Sequence, residues 1–178
     1  MTTQLDKSAS QPVVWKGRHV WLRRLRGDDA KRYRAFHEAL DPARFDRHAQ
    51  TGPPDPDAFV GTLGSDDRDI LVAAVVNDER GASVLGVARA TRRGDANTSE
   101  IAIVLRPDVE GQGLGRLLMG WLINHCRDCG LRQLVGQASL DNRRMIELAH
   151  AFRFVDAPAG GPGVVALRLQ LQRPIEEE

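Results

Sequence analysis

The stretch Arg106-Pro-Asp-Val-Glu-Gly-Gln-Gly-Leu-Gly-Arg116 carries the strongest structural signal in this chain of 178 residues. An apolar segment ends at Leu105 just before it, and apolar residues recur at helical spacing from Gly113 to Cys129 just after it. Its three glycines remove side chains where the backbone turns from strand to helix, so that several N–H groups are left unpaired and point the same way. The helix dipole adds partial positive charge, and the turn therefore indicates a binding site for an anion such as a phosphate.

Two familiar nucleotide-binding motifs do not fit this turn. A P-loop needs a lysine followed by serine or threonine after its glycines, and neither pair follows here. A dinucleotide fingerprint of the form G-x-G-x-x-G needs a third glycine where this chain has Arg116 or Leu118. The remaining alternatives are another phosphate-bearing ligand or a strand–helix turn that binds nothing.

The segments around the turn predict an α+β fold in one domain. Consecutive strands are predicted over 70–76, 83–91 and 98–105, and their short connecting turns favour an antiparallel meander. A first strand and a helix precede them, and a strand–helix–strand sequence follows the glycine-rich turn. Residues 1–12 are predicted to be a disordered leader, residues 13–173 the single domain and residues 174–178 an acidic tail.

Composition excludes several classes of protein. The formal net charge of +1 gives no sign of a nucleic-acid partner, and no apolar run is long enough to span a membrane. The polar N-terminus is not a secretion signal, so we expect a cytoplasmic location. Cys126 and Cys129 share one face of a predicted helix, and no second C-x-x-C or pair of histidines follows them. The adjacent His125 alone does not complete a set of metal ligands, so a packing role is favoured and no metal site is predicted.

Three segments together resemble the acetyl-CoA core of the GNAT superfamily. They are the glycine-rich turn with the following helix start, the strand Leu131–Val135, and the helix Asn142-Arg-Arg-Met-Ile-Glu-Leu-Ala149 with Phe152 and Phe154 behind it. Gly113 and Gly115 match the superfamily's [QR]-x-x-G-x-[GA] pattern, whereas Glu110 stands where glutamine or arginine is usual. The resemblance implies a GNAT-like acyl-CoA N-acyltransferase fold, a mixed and mostly antiparallel twisted sheet flanked by helices and splayed at its central strands.

The resemblance also implies acetyl-CoA as co-substrate and a set of residues that bind it. Backbone amides of the turn would hold the diphosphate, the strand before the turn would line the pantetheine arm, and the asparagine would contact that arm as well as cap its helix. The implied cofactor-binding residues are Ile103, Val104, Leu105, Glu110, Gly111, Gln112, Gly113, Leu114, Gly115, Arg116 and Asn142.

Within the superfamily the chain is most similar to the catalytic domain of bacterial Pat-type protein lysine acetyltransferases. The similarity lies in the opening over residues 22–29, in Ser99–Asp108 and in Asn142–Ala149. It favours a protein lysine as the amine acceptor, for a monomer or a homodimer. The alternatives are an acetyltransferase for a small amine (a polyamine, an amino acid or an aminoglycoside) and a sensor that binds acyl-CoA without catalysis.

Acetyl transfer to an amine needs a base, because a lysine-like amine with a pKa of about 10.4 is almost fully protonated at neutral pH. Glu100 is predicted to be this base, since it is the only acid in its strand and similar proteins carry a glutamate there. The alternatives are that Glu100 merely begins the strand facing solvent, or that Asp95 in the preceding turn serves instead. No general acid is predicted, because Ala149 stands where many members have a tyrosine.

Overall fold

The computed structural model describes residues 10–40, 55–57, 69–79, 81–94, 97–158 and 161–171. Its first strand starts at Gln11, so residues 11 and 12 belong to the sheet and not to the leader predicted from sequence. The rest of that leader, Asp95 and the tail from residue 174 lie outside the described residues.

The described part of the chain contains eight strands and three α-helices, together with short 3₁₀ helices at Gly27–Asp29 and Pro107–Val109. The strands are β1 (Gln11–Trp15), β2 (Arg18–Arg24), β3 (Asp69–Asp78), β4 (Gly81–Arg92), β5 (Thr98–Leu105), β6 (Gln133–Ser139), β7 (Val155–Ala157) and β8 (Val164–Gln170). The helices are Ala30–Glu38 (α1), Leu114–Asp128 (α2) and Arg143–Ala151 (α3). Among these described helices, none is both long enough and apolar enough to cross a membrane.

All eight strands form one sheet in the order β1-β2-β3-β4-β5-β6-β8-β7. The first five run as an antiparallel meander, and its β3-β4-β5 part confirms the topology predicted from the short turns. The pair β5 and β6 is parallel, while β6 with β8 and β8 with β7 return to antiparallel pairing. The sequence did not predict β1 or β7, which are short strands at the two edges of the sheet.

Each face of the sheet has its own core, because side chains alternate between the faces along every strand. On one face, α2 and α3 cover a cluster that contains Ile101, Leu114 and Leu118. On the other face, α1 contributes Tyr33 and Phe36 to a smaller cluster with Val87. Thr98, Glu100, Ala102 and Val104 therefore face the α1 side, and the alternate residues of β5 face α2.

The parallel pair at the centre of the sheet separates after three residues. Only Thr98–Glu100 pair with β6, opposite Gln133–Val135, whereas β5 pairs with β4 as far as Leu105 and β6 pairs with β8 as far as Ser139. The sheet thus opens into a gap between the second halves of β5 and β6. The splay predicted at the central strands is confirmed, and Glu100 lies at its apex.

Asp29 ties the start of α1 to β2. Its carboxylate has no exposed surface. It accepts hydrogen bonds from both terminal nitrogens of Arg23, at 2.6 and 2.8 Å, and from Nη1 of Arg32 at 2.9 Å. Burial by itself would raise the pKa of Asp29, but the hydrogen bonds from Arg23 and from the backbone N–H of Arg26 outweigh it, and the net effect is a lowered pKa. The arginine-rich strand is therefore partly an internal anchor for α1.

The helices α2 and α3 end in the same way with different residues. In each, two backbone N–H groups beyond the helix bond back to the last turn, the arrangement of a Schellman motif. The left-handed residue of this motif is Gly130 after α2, with φ of +78°, and Arg153 after α3, with φ of +67°. Arg153 stands where glycine is favoured, and it adopts the backbone conformation that a glycine would have there.

Candidate active site

The glycine-rich turn has the geometry of an anion site. Gly111 and Gly113 are exposed and left-handed, with φ of +68° and +88°, and α2 begins directly after Gly113. Leu114 is fully buried and anchors the first turn of the helix. A Cβ on Gly115 would lie 3.5 Å from the Leu105 side chain and 3.6 Å from that of Leu148, so this glycine lets the helix approach β5 and α3 closely. The first N–H groups of α2 are consequently presented at the surface beside the open end of the gap.

The middle of the turn is held from two sides. The Gln112 side chain donates from Nε2 to the carbonyl of Asp108 at 2.9 Å. The Gln112 carbonyl accepts a hydrogen bond of 2.8 Å from the indole Nε1 of Trp15, at the end of β1. Glu110 is half-buried on extended backbone just before the turn. The carboxylate that departs from the superfamily pattern therefore precedes the exposed glycines without interrupting them.

Two arginines flank the turn. A Cβ on Gly111 would lie 3.1 Å from Nη1 of Arg144, which places that guanidinium directly against the turn. Arg144 is exposed and forms no ion pair with a carboxylate of the described residues. Arg116 lies over the Phe152 ring, 5.5 Å from the ring centroid to the guanidinium carbon. Positive charge from two helices thus supplements the backbone amides.

The backbone of β5 offers hydrogen-bonding groups to the gap at alternate residues only. Thr98 and Arg106 bond toward β4, so the even-numbered residues between them face β4 as well. Ile103 and Leu105 consequently direct their N–H and C=O groups into the gap. Val104 directs its backbone to β4 and its side chain into the α1-side cluster. Of the three β5 residues predicted to contact acetyl-CoA, the structure brings Ile103 and Leu105 to the gap and turns Val104 away.

Glu100 lies at the apex of the gap, on the face shared with α1. Its side chain is only 12% exposed, so it does not project freely into solvent. Nε and Nη2 of Arg93, from the β4–β5 turn, both bond to a single carboxylate oxygen, Oε2, of this glutamate. The other oxygen, Oε1, has no hydrogen-bond partner in the described part of the chain.

A row of polar side chains crosses the sheet through Glu100. Thr91 pairs with Asp69 on one side and with Glu100 on the other, so all three lie on the α1 face. Asp69 accepts a hydrogen bond of 2.8 Å from Arg89, the next residue of β4 on that face. The sheet spacing of about 4.8 Å per strand sets the backbones of Asp69 and Glu100 roughly 10 Å apart. This face therefore carries two carboxylates that are each held by an arginine.

Asn142, the last of the predicted site residues, is positioned by a helix, and so are Ala149, His150 and Tyr33. Asn142 caps α3, with Oδ1 accepting from the Met145 N–H at 3.2 Å, and its amide group has no other partner among the described residues. Ala149 is fully buried. His150 points outward and contacts Asp156 at 2.8 Å, and so does not reach the gap. Tyr33, which belongs to α1, is fully buried in the cluster between that helix and the sheet, where loss of solvent raises its pKa.

The two cysteines follow the packing interpretation. Cys126 has no exposed surface, and burial, followed by the neighbouring Cys129, raises its pKa to about 12. Such a thiol is almost never ionised near neutral pH, whereas a thiolate is the form that reacts or binds metal. Within the described residues, no group of three or more His, Cys, Asp or Glu is arranged to hold a metal ion.

A glycine-rich turn at the mouth of a splayed parallel pair is the arrangement expected of an acyl-CoA-dependent transferase, and comparisons with known proteins agree. The family model described as the acetyltransferase (GNAT) family matches residues 33–154. An acetyltransferase of Pseudomonas aeruginosa is 32% identical over 145 residues, which covers 78% of this chain and 76% of that protein. The L-amino acid N-acyltransferase MnaT of Escherichia coli is 36% identical over 62 residues, or 35% of this chain and 36% of that protein.

Among solved structures, the GNAT domain of S. lividans PAT superposes with a TM-score of 0.76 at 21% identity, covering 91% of this chain and 97% of that one. This likeness concerns the fold. The family match shows that the chain belongs to the acetyltransferase (GNAT) family. It is an acetyltransferase acting on acetyl-CoA.

Sequence reasoning missed three residues of this site. Trp15 is 97 residues away from the carbonyl that it contacts. Arg93 reaches Glu100 across a hairpin, and Arg144 meets Gly111 only because α3 packs beside the turn. Arg93 alone had a local signal, since the register of a hairpin predicts which residues share a face.

Proposed function

We propose that the protein transfers the acetyl group of acetyl-CoA to a primary amine, preferentially a lysine side chain of another protein, with Glu100 as general base. The observation that carries this proposal is the position of Glu100 at the apex of the splay, with one carboxylate oxygen held by Arg93 and the other unengaged.

The residues of the turn and of the gap fit the donor. The amides around Gly113 and the guanidinium of Arg144 suit a diphosphate, and the backbone of Ile103 and Leu105 suits an extended arm carrying amides. An N–H of β5 that faces the gap also suits the thioester oxygen as negative charge develops on it. Asn142 has an amide donor left for the same arm after capping its helix.

The proton of the amine defines the role of Glu100. An alkylammonium has no lone pair, so attack on the thioester carbon requires the loss of a proton first. Oε1 of Glu100 accepts that proton, directly or through a water molecule, while Arg93 keeps Oε2 fixed. The departing thiolate is a good leaving group, and the proposal assigns it no protein acid.

Two observations support a cationic amine at the surface. On the acceptor face Arg89 neutralises Asp69 and Arg93 holds Oε2 of Glu100, so Oε1 of Glu100 is the carboxylate oxygen placed to accept a hydrogen bond from an ammonium group. Arg93, which covers Glu100, is 60% exposed, and this mouth is therefore reachable by a lysine on a folded partner. The resemblance to Pat-type lysine acetyltransferases favours the same acceptor.

The second candidate is acetylation of a small amine. The identity shared with an L-amino acid N-acyltransferase of E. coli favours it, and the free amino acid would bring its own carboxylate to the arginines of this face.

A thiol-release assay with acetyl-CoA distinguishes these candidates. The acceptor panel contains acetyl-CoA synthetase, a lysine peptide, spermidine and a set of L-amino acids. Glu100→Gln should retain CoA binding by calorimetry and lose about 10²–10⁴-fold in kcat, the usual contribution of a general base. The matched control is Glu79→Gln, an exposed glutamate in the β3–β4 turn, which should retain wild-type turnover.

Each candidate acceptor predicts a different pattern of turnover in this assay. Turnover of proteins but not of free amines supports the lysine acceptor, and the reverse pattern supports the small-molecule candidate. CoA binding with no turnover across a wide panel would contradict the proposed transfer to a primary amine. Wild-type rates for Glu100→Gln would remove Glu100 as the base.

A further inference from the structure

We infer that Trp15 is a positioning residue for acetyl-CoA: its indole N–H orients the Gln112–Gly113 peptide so that the Gly113 N–H faces the diphosphate. The inference rests on the proposed function, because it assigns a role in holding the donor. Trp15 need not touch the donor itself, and it acts through the backbone of the turn.

The position of Trp15 is fixed by the first hairpin. Trp15 ends β1 opposite Arg18, and the two residues between them, Lys16 and Gly17, both have positive φ, at +49° and +73°. Two left-handed residues in a two-residue loop form the tight hairpin turn that matches the twist of the strands. Trp15 is also 7% exposed within the core beneath α2, so its ring has little freedom to move.

Peptide geometry connects this contact to the phosphate site. The C=O and N–H of a trans peptide unit lie in one plane and point in opposite directions, and the described residues contain no cis peptide. The Gln112 carbonyl points inward to Trp15 at 2.8 Å, and the N–H of the same unit, that of Gly113, must therefore point outward. Gly111 and Gly113 are exposed on the surface of this turn, and the Arg144 guanidinium lies against Gly111.

A glycine at position 113 makes such an orienting contact necessary. Glycine adopts positive and negative φ with similar ease, so the Gln112–Gly113 unit can rotate at low cost when nothing holds it. A rotated unit would present a carbonyl oxygen to the diphosphate in place of an N–H. The hydrogen bond from Trp15 favours the orientation that binds an anion, before any donor arrives.

The test compares two donors in Trp15→Phe. Acetyl-pantetheine has the same thioester and arm as acetyl-CoA but lacks the diphosphate. For acetyl-CoA, kcat/KM should fall about five- to tenfold, which is the loss expected for one hydrogen bond. The fall should come from a higher KM, with kcat unchanged. For acetyl-pantetheine, kcat/KM should stay at the wild-type value.

Two further variants serve as controls for the role of the Trp15 N–H. Trp21→Phe removes a partly exposed indole of the same hairpin and should leave both donors unchanged. Incorporation of β-(3-benzothienyl)alanine at position 15 replaces the N–H by sulfur while keeping the ring shape, and should reproduce the selective loss even if phenylalanine impairs folding.

The results have distinct meanings. An equal fall for both donors, or no fall for acetyl-CoA with the benzothienyl variant, overturns the role of Trp15. If the wild-type protein does not bind CoA at all, the proposed function fails instead.

Discussion

Replacing Gly113 by alanine tests whether the left-handed residue before α2 serves ligand binding. Gly113 has φ of +88°, and a Cβ there would meet nothing within 4 Å. The substitution therefore adds no clash, and its direct cost to stability is the strain of a left-handed L-residue, about 1–2 kcal/mol. Gly130, at the other end of α2, has φ of +78° and equally open surroundings, which makes Gly130→Ala a matched control.

The two variants should be alike in stability and different in ligand binding. Each should lose about 1–2 kcal/mol of unfolding free energy, or roughly 2–4 °C in Tm per kcal/mol for a chain of this size. Gly113→Ala should also weaken ligand binding, because rotation of φ to negative values relieves the strain and turns the peptide between Gln112 and residue 113. That rotation removes a hydrogen bond to the diphosphate, so the Kd for CoA should rise about tenfold.

Thermal unfolding with and without CoA measures both effects. At a ligand concentration of 100 times the wild-type Kd, CoA should stabilise the wild-type protein and Gly130→Ala by about 2.7 kcal/mol. The same concentration is only 10 times the Kd expected for Gly113→Ala, and the stabilisation should be about 1.4 kcal/mol. If Gly130→Ala loses the ligand effect to the same extent, or if Gly113→Ala keeps it fully, the assignment of this turn to the diphosphate is wrong.

Three further predictions concern other parts of the structure. Arg153→Gly should raise the unfolding free energy by about 1 kcal/mol in denaturant titration, because it removes a left-handed L-residue at a helix end; an unchanged midpoint would contradict this. Asp29→Asn should cost about 3 kcal/mol at neutral pH, since it breaks a buried ion pair with Arg23. The hydrogen bonds that lower the pKa of Asp29 outweigh burial, so this stabilisation is present above the unfolded value of about 3.9 and is lost as the pH falls through the folded value; a deficit that persists in acid would argue against the mechanism. Arg144→Gln should raise the Kd for CoA several-fold at low salt and less at high salt in calorimetry, while Arg143→Gln, an exposed neighbour, should not.

Local patterns in the sequence were sufficient for the main architecture. The turn residues between 76 and 98 predicted the meander, and helical spacing after Gly113 predicted α2 to within a residue at either end. These features depend on neighbours within a dozen positions, so the sequence contains their cause directly. The edge strands β1 and β7 have three to five residues each, and such short runs have too little periodicity to predict a strand.

For the candidate site as well, the sequence determined some features and the tertiary structure decided others. By itself, the sequence determined that glycines at 111, 113 and 115 leave amides open at a helix start, and that Glu100 is the one acid on the strand leading there. Only the tertiary structure decided that Val104 faces away from the gap and that Arg93 holds one oxygen of Glu100. The same is true of the hydrogen bond from Trp15 to the Gln112 carbonyl, 97 residues away. The physical reason is that backbone conformation follows from adjacent residues, whereas the direction of a side chain or a peptide is set by whichever distant element packs against it.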